Sequence, residues 1–311
     1  MEIIAILIKQ VVTMFLLVGV GYLMFRRGKI SLEGSKTLGN ILIYLSLPCV
    51  IINGFLVEKT QEHIVGLIYS AILAAVVLLI SIVISRLVFK TDAIAAFAGA
   101  FSNPGFFGIP LITACLSNGA VFYVASFIAL LNLLQWTYGV AIMTSEGSSE
   151  KKKISELITP GKVLTAPFMI AIIIGLVLFF SGLTLPSIVK NCVTFLSGLN
   201  TPLAMFTVGV YLAQTNMTDM VKKPKLYAIS SIRLLAVPLI AALLLILIPN
   251  SLQEMKLAIL ISIACPVGSN IAVYAQLHNK NYSYAVETVI ISTILSIVTI
   301  PAVTALALSI W

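Results

Sequence analysis

Phe101-Ser102-Asn103-Pro104-Gly105-Phe106-Phe107-Gly108-Ile109-Pro110-Leu111 lies midway along an apolar segment, residues 93–116, that is long enough to cross a bilayer. A proline lacks the backbone donor and collides with the preceding turn, so the two prolines predict an interrupted helix here. In hydrocarbon, broken backbone persists only where protein or a water-filled cavity surrounds it. Asn103 followed by Pro104 reads as a helix cap and first helical residue, placing a helix start inside the membrane. Such a start carries roughly half a positive charge, which suits an anion.

Composition sets the class. The chain has 311 residues, 60% hydrophobic and only 10% charged, with a mean hydropathy of +1.11. These values exclude an ordinary soluble domain. Apolar runs near or above about 20 residues occupy nearly the whole length. The first, 3–25, is too long for a signal core and lacks a small-residue cleavage pattern, so it is expected to be retained as a spanning helix. The four cysteines (Cys49, Cys115, Cys192, Cys265) stand singly within apolar runs and read as small buried hydrophobes. No metal spacing and no cofactor motif is present in the sequence.

The expected architecture is all-α and integral to the membrane, with ten spans near 3–25, 38–57, 64–88, 93–116, 119–143, 163–182, 187–213, 226–248, 256–277 and 283–310. One long hydrophilic connection divides residues 1–145 from 163–311; it occupies 146–162 and includes Lys151, Lys152 and Lys153. Of the 19 lysines and arginines, all but Lys9, Lys59, Lys190 and Lys256 fall on the side of the odd-numbered connections. By the positive-inside rule that side is cytoplasmic, with both termini outside, as expected of a multi-pass plasma-membrane protein. The net charge of +8 is then a topology signal, and scattered basic residues give no nucleic-acid surface.

With five spans per half, two related halves must sit upside down to each other. Matched interruptions support such an inverted repeat. Span 4 breaks at Asn103-Pro104 and span 9 at Cys265-Pro266-Val267-Gly268-Ser269-Asn270; span 2 carries Pro48 and span 7 carries Pro202 near their middles. Pro48, Pro110 and Pro202 are the candidate breaks or hinges outside those two centres. Paired interruptions at corresponding positions point to a transporter binding site.

The motif Asn103-Pro104-Gly105-Phe106-Phe107-Gly108-Ile109-Pro110-Leu111 resembles the fourth helix of the auxin efflux carrier family, which includes plant carriers and bacterial carboxylate permeases. Leu203-Ala204-Met205-Phe206-Thr207-Val208-Gly209 resembles its seventh helix, Arg233 with Pro238 its eighth, and Pro266-Val267-Gly268 with Tyr274-Ala275 its ninth. The resemblance implies ten helices in two inverted five-helix repeats, with broken helices 4 and 9 crossing at the midplane beside the substrate carboxylate. It further implies a scaffold of spans 1, 2, 6 and 7 and a moving transport domain of spans 3–5 and 8–10. Asn103 matches the family's crossover asparagine, and Asn132 falls where plant members place a pocket glutamine. Three departures stand out: a short central connection, Pro104 directly after the asparagine, and no acidic–basic pair in span 3.

The residues argue for an anion independently. No ionisable side chain falls at mid-depth; His63 and His278 fall in connections, while Asp92, Arg233 and Glu287 lie near span ends as expected snorkelling or interfacial groups. Two half-helix starts, near Pro104 and Pro266, together supply roughly one positive charge. Asn103, Asn132, Ser269 and Asn270 could donate to a carboxylate, while Gly105, Gly108 and Gly268 allow close backbone approach. The expected activity is alternating-access transport, secondary active or potential-driven, of a small organic acid anion: a malate- or malonate-like dicarboxylate or an aromatic, auxin-like acid. The coupling ion (H+, Na+ or none) and the choice between monomer and homodimer stay open. An anion channel would need a charged or carbonyl filter and a membrane-embedded enzyme a catalytic set at depth; neither pattern is present.

Overall fold

The computed structural model describes residues 2–117, 119–145 and 165–311; the connection expected at 146–162 lies outside them. Twelve helical elements carry the architecture. They are α1 (Glu2–Arg26), α2 (Leu32–Gly54), α3 (Gln61–Val88), α4 (Ala93–Ala100), α5 (Pro104–Cys115), α6 (Ala120–Thr144), α7 (Pro167–Ser181), α8 (Ser187–Gln214), α9 (Pro224–Leu247), α10 (Gln253–Ala264), α11 (Asn270–Leu277) and α12 (Tyr282–Ile310). Seven of them, α1, α2, α3, α6, α8, α9 and α12, are long and apolar enough to cross a membrane. The three other expected spans are the shorter α7 and two interrupted segments, α4–α5 and α10–α11. No strand occurs among the described residues, and one isolated antiparallel bridge joins Ser102 to Val267.

Local chemistry places the ends. Ser31 Oγ accepts from Gly34 N at 2.9 Å and starts α2 six residues before the sequence boundary. Asp92 Oδ1 accepts from Ala95 N at 2.8 Å to open α4, and Asn281 Oδ1 accepts from Tyr284 N at 3.0 Å to open α12. His63, expected in a connection, belongs to the first turn of α3, where Thr60 caps its backbone N–H. Wider π-helical turns at Leu42–Ser46, Pro104–Gly108 and Ile232–Ala236 stand just before Pro48, Pro110 and Pro238. The extra residue relieves the clash between a proline ring and the carbonyl one turn back, so these prolines sit in helices that continue. Pro202 follows a break at Leu199 within α8.

The tightest packing falls into two groups. In one, α1 lies along the second half of α8, and the end of α2 packs on α7 and the first half of α8. In the other, α3 packs on α4 and α6, α6 on α10, and α12 on α9 and α11. Gly21 and Gly209 bring α1 and α8 to backbone contact: a Cβ on Gly21 would stand 2.6 Å from Phe206 O, and one on Gly209 would overlap Val18 O. This is the small-residue packing that membrane helices use in place of a hydrophobic driving force.

Ionisable residues are placed by pairing. As expected of interfacial groups, Asp92 pairs with Lys225 at 2.5 Å and Glu287 with Lys223 at 2.7 Å. Lys256, expected on the outer side at the start of span 9, lies in the first turn of α10 and is covered there. It is 1% exposed, donates to Asn250 Oδ1 at 3.0 Å and lies 4.5 Å from the Trp311 ring. Of the cysteines only Cys265 is fully buried, and Cys192 is exposed, because the apolar run around it faces outward from α8. Gly209→Val is expected to lower stability by about 1–3 kcal/mol or more, since neither backbone can yield. A fall in the thermal midpoint of detergent-purified protein measures it.

Candidate functional site

The two interruptions are built from the same parts and meet. Helix α4 stops at Ala100, Phe101 is extended and Ser102 forms the bridge to Val267, and α5 restarts at Pro104 after Asn103. Asn103 caps that restart, its Oδ1 accepting from Phe106 N at 3.3 Å. Helix α10 stops at Ala264, and α11 restarts at Asn270 after Cys265–Ser269. Gly268 N donates to Phe101 O at 3.0 Å, and Val267 N donates to Ser292 Oγ of α12 at 3.0 Å. Exposed backbone in one break is thus satisfied by the other break and by a neighbouring helix, as an apolar surrounding demands. A Cβ on Gly268 would stand 2.9 Å from Ser102 O, so the contact requires glycine. One on Gly108 would stand 3.0 Å from Cys265 Sγ, where α5 passes the second break.

The C-terminal ends of the half-helices are held by a residue that sequence reasoning assigned to the interface. Arg233 is 1% exposed. Its Nη1 donates to Ala100 O at 2.9 Å and lies 3.2 Å from Ser81 Oγ, while Nη2 donates to Ile263 O at 2.6 Å. One guanidinium therefore caps both α4 and α10, whose carbonyl ends carry roughly half a negative charge each. Helix α9 begins at Pro224, which sets Arg233 about 14 Å along it, and its two carbonyl partners hold it in the interior rather than at an interface. An arginine inside an apolar span was the available signal.

With the negative ends neutralised, the positive starts of α5 and α11 face a small cavity. Asn103, Pro104, Gly105, Asn132, Gly268 and Asn270 line about 40 Å³ together with Leu47 and Ser102. Asn103 is 8% exposed. Asn132 is half committed, its Nδ2 donating to Ile128 O in its own helix at 2.8 Å. Asn270 Nδ2 donates to Gln135 Oε1 at 3.2 Å, and Gln135 Nε2 and Ser102 Oγ are buried with no protein partner. No charged side chain lines this cavity. Ser269 is set off from it and lines a larger space, as do Phe106 and Asn270, which border both. That vestibule encloses about 580 Å³ and opens toward the starts of α2 and α12. Pro266 belongs to the second break, and Pro48, Pro110 and Pro202 stand on α2, α5 and α8 outside the cavity lining.

Asn200 was not singled out by the sequence. It is 2% exposed, donates from Nδ2 to Gly105 O at 3.1 Å, and leaves Oδ1 without a partner. It also lines a third cavity of about 170 Å³, near the ends of α2 and α5. His278, after α11, is held below the ordinary imidazole value by burial and then by Lys280, and it lines neither central space.

An all-helical, multi-pass chain whose interrupted helices meet around an uncharged polar cavity has the build of a membrane transporter. The profile described as "Membrane transport protein" matches residues 6–304, so the chain belongs to that family, the auxin efflux carrier family. The chain is also 25% identical over 301 residues to a protein of Rhizobium meliloti (strain 1021) named "Putative malonate transporter"; the match covers 93% of this chain and 92% of the relative. Family and relative are transporters and not enzymes, so a small-molecule substrate and a lipid bilayer come with the assignment.

Arg233→Ala is expected to cost about 3 kcal/mol or more, because buried carbonyls at two helix ends lose a charged donor together. Arg233→Lys is expected to fall between, since an ammonium cannot span both ends as a planar fork does. Thermal unfolding of the purified variants, followed by size exclusion, measures the order.

Proposed function

We propose that the protein carries small organic acid anions across the plasma membrane by alternating access. The carboxylate would bind where the starts of α5 and α11 converge, with Asn103, Asn270 and the unpartnered Gln135 amide as donors. The observation that carries this reading is the convergence of two helix starts on a cavity with no charged side chain, while Arg233 offsets the opposite helix ends. Two starts supply roughly one positive charge without an ammonium that would hold the cargo too tightly.

A cavity of about 40 Å³ is smaller than an organic acid. The cargo would therefore bind at the junction with the vestibule, at Phe106 and Asn270. The relative's name supports a malonate-like dicarboxylate as the first cargo to try.

On this reading α4–α5 and α10–α11 are the crossed fourth and ninth of ten spans in two inverted repeats, 1–145 and 163–311. Helices α1, α2, α7 and α8 form the scaffold, and α3–α6 with α9–α12 form the moving, elevator-type domain, in line with the two packing groups. Both termini lie outside. The large vestibule borders the basic connections and faces the cytoplasm, whereas the 170 Å³ cavity lies toward the other side. The conformation is then inward-facing.

Half-helix C-terminal ends are where transporters commonly hold a coupling cation. Arg233 occupies that position, which favours movement driven by the membrane potential, at about 2.3 kcal/mol per charge per 100 mV. Malonate flux in proteoliposomes should therefore follow an imposed potential and be indifferent to sodium; strict sodium dependence would overturn the uncoupled reading. Asn103→Ala should abolish flux with folded protein retained, and Pro266→Ala should slow it by letting α10 run on. Wild-type flux in Asn103→Ala removes this cavity as the site.

A further inference from the structure

The vestibule has a charge pattern that the central cavity lacks. Among the residues lining its 580 Å³, Lys36 is the one with an ionised side chain, and no carboxylate lines the space. Two other basic residues of this face are held in ion pairs, Lys223 with Glu287 and Lys225 with Asp92. Lys36 is exposed in the second turn of α2, with Tyr211, Gln276 and Tyr282 on the walls around the same space. Ser269 and Asn270 at the inner end connect it to the break in span 9. A single cation in a recess with apolar, low-dielectric walls focuses its field outward along the opening and raises the local concentration of anions.

We propose that the vestibule holds a second carboxylate site, an entry site built on Lys36 with the Tyr211 and Tyr282 hydroxyls and the Gln276 amide as neutral donors. This rests on the carboxylate-transport reading above. The anion pauses there while it sheds water, then moves to the helix starts as Asn270 exchanges its bond to Gln135 for one to the cargo. One ammonium among neutral donors binds weakly, which a carrier needs at its mouth: occupancy must be brief for cargo to pass in both directions.

A bulky anion that fits the vestibule but not the 40 Å³ cavity separates the two sites. Pyrenetetrasulfonate, followed by its own fluorescence anisotropy, should bind the purified wild-type protein and be displaced by malonate. In oriented proteoliposomes it should block malonate flux from the vestibule side alone. Lys36→Gln should bind it about tenfold more weakly and escape block, while Lys36→Arg should behave as wild type. Asn103→Ala should lose malonate flux yet still bind the tetrasulfonate. Unchanged binding in Lys36→Gln, or equal block from both faces, overturns the entry site and leaves the central site standing. Wild-type flux in Asn103→Ala instead overturns the transport reading on which the entry site rests.

Discussion

Two helices can stop inside a membrane only if every freed backbone group finds a partner, and here the partners are chiefly each other. The bridge between Ser102 and Val267, with Gly268 N on Phe101 O, disposes of the extended residues. Arg233 disposes of the carbonyl ends at Ala100 and Ile263. What is left over is the pair of N–H ends at α5 and α11, and these are the groups that can serve a ligand. Among the described residues the central cation, Arg233, is committed to structure, and the cavity at the two helix starts is lined by no ionised side chain.

That economy explains the glycines around the site. Gly268 cannot carry a side chain because the opposing carbonyl of Ser102 lies where its Cβ would be, and Gly108 lies against Cys265. Neither needs an unusual backbone angle, since the positive dihedrals are at Gly28, Gly182 and Asn279. Their role is proximity. A helix start can present its amides to a carboxylate only if nothing projects between them.

Much of this was legible in the residues. Asn103-Pro104 and Pro266-Val267-Gly268 gave away the two interruptions, since proline and glycine act through local sterics that a sequence displays directly. Asn103, Asn132, Gly268 and Asn270 then fell together because the breaks meet. Depth was harder. Arg233 looks interfacial until its partners are known, since the carbonyls of Ala100 and Ile263 that hold it inside leave no mark in the sequence. Long-range partners were out of reach for the same reason. Nothing within 132–136 announces that Gln135 rather than Asn132 will bond across to Asn270, because that is decided by which side of a π-turn faces α11. Asn200 was hidden as Arg233 was: its partner is a backbone carbonyl, in α5.

Under the proposed alternating-access mechanism Asn200 also has a mechanical meaning. Its bond to Gly105 O runs from the α1–α8 group to the half-helix that frames the cavity, across a seam otherwise faced by apolar side chains such as Leu47 against Gly105. A single neutral hydrogen bond contributes about 1 kcal/mol net, not far above thermal energy. Dispersion contacts along the rest of the seam have no preferred direction and re-form after a slide. On the proposed alternating-access reading, the boundary works like a bearing with one detent: a shallow catch that gives each resting position an identity without welding the parts.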